Sequence, residues 1–301
     1  MTMHDPRMMA QMVGGAGFIA ALDQSGGSTP GALKAYGVGE DAYSGEAEMY
    51  QRIHEMRSRI ITAPSFNGSK VIGAILFERT MDGQAGGQNV PALLWQRGVV
   101  PFIKVDKGLE AEADGVKLMK PMPDLDALLE RSAGLGVFGT KMRSVIDGAS
   151  RTGIAAVVDQ QFEVAEQIIG HGLMPIVEPE VSIKSPERAD CDRILLEELT
   201  RALDAMSGDR RVMLKLTIPA QAELFAPLVG HMRVARVVAL SGGFSRPDAC
   251  AELARNHGMI ASFSRALLED LRHQMSDEEF DRTLGAAIDE IYQASVVKAL
   301  P

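Results

Sequence analysis

Eight apolar runs of strand length alternate with stretches of helical periodicity, and no G-x-G-x-x-G fingerprint follows the first run. No segment between the runs reads as a linker between domains. Together these observations predict a single (β/α)8 barrel with eight parallel strands, spanning residues 1–301. An open doubly wound sheet would need fewer strands and would carry a nucleotide fingerprint near its start.

The runs are FIAALD from Phe18, VIGAILF from Val71, VVPFIKVD from Val99, FGTKMRS from Phe138, LMPIVEPEV from Leu173, VMLKLT from Val212, VVALSGG from Val237 and MIASFSR from Met259. Most are almost continuously apolar, as parallel strands covered on both faces must be. Helix punctuation lies between them. Ser185 with Pro186 reads as a cap followed by a first-turn proline opening SPERADCDRILLEELTRALDAM. Ser245 with Asp248 and Ser276 with Glu279 have capping-box spacing, and Gly258 falls where the first of those two helices would stop. In the long connection from Asp23 to Val71, GEAEMYQRIHEMRSRII reads as a helix and the Gly/Ser-rich half before it as a loop. TMDGQAGGQNVP lacks the GK[ST] ending of a phosphate-binding loop and reads as a mobile loop.

Composition excludes several classes. Thirty-one basic against 40 acidic residues leave a net charge of −9, which repels nucleic acid and anionic membranes unless a local basic patch overrides it. Cys191 and Cys250 lie far apart outside any CxxC or Cys/His ligand spacing, so both read as helix packing residues. The N-terminal MTMHDPRMMAQMVGG has no apolar signal core, which with the unpaired cysteines suggests a cytoplasmic setting. The 17 methionines read as flexible core filler.

The informative residues are ionisable groups inside strand runs, because a buried charge is costly unless paired or employed. Lys215 is the sharpest case: Met213, Leu214 and Leu216 around it mark a strand covered on both faces, so its ammonium must point into the barrel. Period-two alternation puts Phe102, Lys104 and Asp106 on one face, Gly139, Lys141 and Arg143 on another, and Glu178 with Glu180 on a third, while Asp23 ends the first strand. Singly, each has an ordinary explanation as a snorkelling lysine, a helix cap or a solvated turn. Jointly they converge on the C-terminal mouth of a barrel, where active sites of this fold sit.

A nucleophilic amine must lose its proton near neutrality. Burial and neighbouring cations, for which Lys104 and Lys141 are candidates, both favour that form in Lys215. Such an amine attacks a ketone to give an imine, and Glu178, Glu180 and Asp23 supply the proton shuttling. The six histidines form no HxxH or HxxxH pair, so neither a metal nor another cofactor is expected. LSGG at Ser241, Gly242 and Gly243, with Arg265 in FSRAL, offers backbone N–H groups and a guanidinium to a phosphate.

ALDQSGGS, GAILFERT, IKVDKG, MPIVEPE, MLKLTIP, LSGG and FSRAL resemble, in order, the strand-end motifs of class I fructose-bisphosphate aldolases. The resemblance implies reversible cleavage of fructose 1,6-bisphosphate through a Schiff base on Lys215. Glu178 would be its acid/base, and Asp23 and Lys141 would assist, with Glu180 and Lys104 as their partners. Ser241, Gly242, Gly243 and Arg265 would hold the 1-phosphate, with Ser28 and Arg143 as further candidates for sugar or the distal phosphate. It also implies a sugar-phosphate substrate and a homo-oligomer, commonly a tetramer. Animal-type members carry a Lys-Arg pair where this chain has Gly31 and Ala32, and a C-terminal tail ending in tyrosine. This sequence ends at Pro301 and is closer to the shorter bacterial type; Tyr292 is no substitute, which leaves the proton donor to the enamine unassigned. Rival readings are imine chemistry on another phosphorylated ketose, or a barrel that binds sugar phosphate without catalysis.

Overall fold

The computed structural model describes residues 5–299; His4 and Pro301 lie outside them. Eight strands follow one another around the barrel, each parallel to the last: β1 (Phe18–Leu22), β2 (Val71–Leu76), β3 (Val100–Lys104), β4 (Gly139–Ile146), β5 (Met174–Val181), β6 (Val212–Thr217), β7 (Val234–Leu240) and β8 (Ile260–Ala261). β8 is two residues long, much shorter than its apolar run, and β7 begins three residues before the VVALSGG run. The barrel closes where the Ala21 N–H of β1 donates to the Phe263 carbonyl just beyond β8, at 3.1 Å.

Helices fill the connections. β1 leads to α2 (Thr29–Tyr36) and α3 (Gly45–Thr62), β2 to α4 (Glu78–Met81) and α5 (Val90–Gln96), and β3 to α6 (Leu125–Gly134). Then come α7 (Arg151–Gly170) after β4, α8 (Arg188–Ala205) after β5, α9 (Ala226–Val229) after β6 and α10 (Arg246–Ala254) after β7. Finally, α11 (Arg265–Leu268) and α12 (Asp277–Val296) follow β8. Cys191 on α8 and Cys250 on α10 are both buried and unbridged, in packing roles.

Four local expectations need correction. The Gly/Ser-rich half of the first connection contains α2: Pro30 opens it, Gly37 stops it in the left-handed conformation at φ 89°, and Leu33 and Tyr36 bury its inner face. The stretch read as a mobile loop is a hairpin, in which Gln84–Ala85 pairs with Gln88–Asn89 around Gly86 and Gly87 at φ 56° and 77°. The helix expected at Ser185 starts at Arg188, because Ser185, Pro186 and Glu187 form a turn in which the serine hydroxyl accepts from the Glu187 N–H. α10 ends at Ala254, ahead of Gly258, which lies at φ 76° in the turn beyond. The cap at Ser276 is a full reciprocal box with Glu279, as its spacing suggested.

Two layers of core follow from strand alternation. Leu214 and Leu216 face the helices, whereas Met213 joins Ile19, Ala21, Phe102, Ile176 and Val238 inside the barrel. Phe102 fills the centre because Gly139 leaves room: a Cβ there would sit 2.8 Å from its ring and 2.2 Å from the Met174 carbonyl. The N-terminal helix α1 (Pro6–Gly14), capped by Asp5, lies beneath this interior and adds Met8 and Met12 to it. The Arg236 guanidinium donates to the Met12 and Gly15 carbonyls, and the Gln11 amide to Ile72 and Gly98, fixing α1 across the strands' N-terminal ends.

Candidate active site

At the opposite end of the strands, the interior opens into a cavity of about 810 Å³. Asp23, Lys104, Lys141, Arg143, Glu178, Glu180, Lys215, Ser241, Gly242, Arg265 and Ser28 all line it, so these residues singled out in the sequence converge, while Gly243 lies outside the lining. Strand register brings them together: Lys104 pairs with Lys141 across β3 and β4, Arg143 with Glu178 across β4 and β5, and Lys215 with Val238 across β6 and β7.

At the bottom lies an alternation of charge. Lys215, 4% exposed, has its Nζ 3.1 Å from Glu178 Oε1. Lys141, 3% exposed, has its Nζ 3.1 Å from Glu178 Oε2, 2.7 Å from Asp23 Oδ2 and 3.8 Å from Asp106 Oδ2. Lys104 reaches Asp106 Oδ1 at 2.7 Å. Three lysine side chains thus interleave with three carboxylates in a space from which water is largely excluded. Lys104 and Lys141, the candidates for neighbouring like charges, are each held by carboxylates, and the ion pair of Lys215 is with Glu178.

The electrostatics follow from this packing. Burial pushes Asp23 towards its neutral form, but the charges of Lys141, Lys215 and Lys104 and the hydrogen bond from Lys141 outweigh it, holding the carboxyl well below the usual range. Burial works against the charge on Lys141 too, and Asp23, Glu178 and Asp106 overcome it, raising that amine above the ordinary lysine range. Lys141 therefore stays an ammonium among these carboxylates. Among the described residues no group of three or more His, Cys, Asp or Glu is arranged to hold a metal.

Nearer the mouth, Arg143 Nε meets Glu180 Oε2 at 2.5 Å, so this pair is mutually neutralised and Glu180 is a partner of Arg143. Gly242 and Gly243 adopt φ 61° and 119°, a conformation open to glycine. A Cβ on Gly243 would lie 3.2 Å from Arg265 Nη2, so the guanidinium hangs directly over the glycine backbone. Arg265 is exposed and makes no ion pair or hydrogen bond among the described residues, which leaves its donors free for an anion. Ser28, by contrast, exchanges both its hydrogen bonds with Ser25 in the turn before α2. Gly31 and Ala32 line the same wall without charge. Tyr292 lies under Lys70 on α12 and is not part of the lining.

Residues 8–219 match the sequence profile of "Fructose-bisphosphate aldolase class-I". The chain belongs to that family. Among solved structures, it is similar to fructose-bisphosphate aldolase from Plasmodium falciparum, crystallised with TRAP and a small-molecule inhibitor: TM-score 0.76 and 22% identity over 99% of this chain and 98% of that one. It is also similar to a structural-genomics protein from Corynebacterium glutamicum, with TM-score 0.54 and 15% identity over 97% and 92%. At these identities the structural matches speak for the barrel, and the profile match speaks for aldolase chemistry.

Several residues at or behind the cavity carry no assignment in the sequence analysis. Asp106 had been placed on the right face but given no role. Arg57, on α3, is fully buried behind Asp23, and its spacing with the buried Ile53, Met56 and Ile60 was the available signal. Gln24 and Ser264, which line the cavity, had no signal beyond adjacency to Asp23 and Arg265. Among the described residues no helix is long and apolar enough to cross a membrane.

Proposed function

We propose that this protein reversibly cleaves fructose 1,6-bisphosphate to dihydroxyacetone phosphate and glyceraldehyde 3-phosphate through an imine on Lys215. The observation that carries the reading is the Lys215 amine on the barrel floor, 3.1 Å from a carboxylate that is itself 3.1 Å from Lys141. Lys215 Nζ adds to the C2 ketone. Glu178 delivers a proton to the carbinolamine hydroxyl, water departs, and a protonated imine remains. A carboxylate, Asp23 or Glu178, then takes the C4 hydroxyl proton; the C3–C4 bond breaks, the aldehyde leaves, and the bonding pair passes to the imine to give an enamine. Protonation at carbon and hydrolysis release the ketone and restore the amine. Lys141 stays charged throughout and steadies both carboxylates, Lys104 holds Asp106, and Arg265 with Ser241, Gly242 and Gly243 grips the 1-phosphate.

Incubation with dihydroxyacetone phosphate and borohydride, followed by peptide mass spectrometry, tests this: the adduct belongs on Lys215. An active enzyme without that adduct would sink the mechanism. The uncharged wall at Gly31 and Ala32 favours a second reading, the same chemistry on another phosphorylated ketose. Comparing kcat/KM for fructose 1-phosphate and the bisphosphate distinguishes the two.

A further inference from the structure

The weakest seam of the barrel lies where the proposed chemistry needs the most exact spacing. β8 has two residues, both paired to β7, and β1 meets the end of β8 through the Ala21 to Phe263 hydrogen bond. Immediately above that bond, β1 delivers Asp23 to the cavity and the β8 end delivers Arg265.

A side-chain bridge spans the same seam. The Gln24 amide donates from Nε2 to Ser264 Oγ at 2.6 Å, and at 3.3 Å to the carbonyl of Ala21. Ser264 sits in the N-cap position of α11, yet its hydroxyl makes no capping bond. It is occupied by Gln24. Behind the bridge, Arg57 Nη2 donates to the Gln24 backbone carbonyl and, at 3.3 Å, to Gln24 Oε1, while Nη1 donates to Thr80 Oγ1 at 3.0 Å. Arg57 is 0% exposed and makes no ion pair among the described residues; Asp23 is its leading electrostatic support. A wholly buried guanidinium without a carboxylate contact is expensive. Besides the bond to Thr80, its hydrogen bonds go to Gln24, the residue that follows Asp23 and reaches across to the one that precedes Arg265.

Resting on the reading of the site given above, with Asp23 taken as the carboxylate at the C4 hydroxyl, we infer that Gln24 and Ser264, braced by Arg57, are positioning residues that set the span between Asp23 and the guanidinium holding the phosphate. A substrate bonded to Lys215 presents its C4 hydroxyl and its 1-phosphate within a limited range of separations. The bridge makes the protein's two anchor points match that range.

The test uses the full chain with Gln24→Ala, Ser264→Ala, the double variant and Gln24→Glu. Affinity for inorganic phosphate is read by calorimetry, kcat by ketose bisphosphate cleavage, and folding by thermal melting. Each single alanine variant is expected to weaken phosphate binding by about threefold to tenfold, the range of one lost hydrogen bond. It should also lower kcat by about tenfold to a hundredfold through misalignment. The double variant should be no worse than the poorer single one, because both remove the same contact. Gln24→Glu can still accept from the Ser264 hydroxyl and Arg57 but cannot donate to the Ala21 carbonyl, and it adds a negative charge beside the phosphate site. It should therefore recover part of kcat and not the phosphate affinity. Effects that multiply in the double variant, or a Ser264→Ala protein that melts lower but keeps phosphate affinity and kcat, would overturn the inference. If the unmodified protein neither cleaves nor forms an adduct, the functional reading fails, and phosphate affinity still decides whether the bridge positions Arg265.

Discussion

Replacing Lys141 by methionine removes one charge from a nest of three carboxylates and keeps most of the side-chain volume. Its ammonium pairs with Asp23 at 2.7 Å and Glu178 at 3.1 Å, with Asp106 at 3.8 Å, and all four residues are nearly inaccessible to water. Breaking a buried pair by deleting one partner costs about 3–5 kcal/mol, because the remaining charge stays buried without compensation. With an unfolding entropy of about 2.1 cal/mol/K per residue, that lowers Tm by roughly 5–8 °C for a chain of this length. The pH dependence is more diagnostic than the size. In the unmodified protein Asp23 titrates below its unfolded value, so its contribution is present above about pH 4 and is lost as the pH falls through the lower folded value. Lys141 titrates above its unfolded value, so its contribution is complete below about pH 10 and is lost as the pH rises further. In Lys141→Met, burial acts on Asp23 with its largest opposing charge gone. Its stability should therefore be greatest at acid pH and fall as the carboxylates are forced to ionise. Urea melts of both proteins between pH 4.5 and 8 check this, with the deficit of the variant widening as pH rises. Parallel stability curves, or a deficit largest in acid, would refute the claim that Lys141 is the charge on which these carboxylates depend.

Asp192 on α8 is fully buried, accepts a hydrogen bond from the Ala220 N–H at 2.8 Å, and is pushed up to about 6 by burial against that bond and Arg188. Its folded value exceeds the unfolded one, so stability falls as pH rises between about 4 and 6, a penalty on the order of 3 kcal/mol that persists at neutrality. Asp192→Asn should raise Tm at pH 8 and have little effect at pH 4, as calorimetric melts at the two pH values would register. Met12→Ala should cost about 2–5 kcal/mol in urea melts by opening a cavity under the barrel, with kcat unchanged because α1 lies at the far end from Lys215.

Legibility in the sequence followed the physics of each feature. Strands buried on both faces read as apolar runs, and a lysine inside one, as at Lys215, stands out because hydrocarbon on either side leaves it nowhere to go but inward. β8 was found but overestimated, since MIASFSR keeps its apolar character past the point where strand pairing ends. α2 was missed because eight residues opened by Thr-Pro-Gly hold too few turns for periodicity to emerge. The pairing of charges was hidden for another reason: alternation tells which side chains share a face, but not that Lys141 would be claimed by Asp23 and Glu178. The contact of Gln24 with Ser264 joins residues 240 positions apart through one amide and one hydroxyl, and no local pattern encodes it.

The placement of α1 bears on molecular traffic. With Met8 and Met12 seated against the strand floor, packed core backs the chamber around Lys215, and its doorway is the mouth at the C-terminal ends of the strands. On the proposed reaction, one molecule enters by that doorway and two must leave by it. The half bonded to Lys215 waits at the inner end while the aldehyde departs toward the mouth, and the water that frees the second product arrives by the route just vacated.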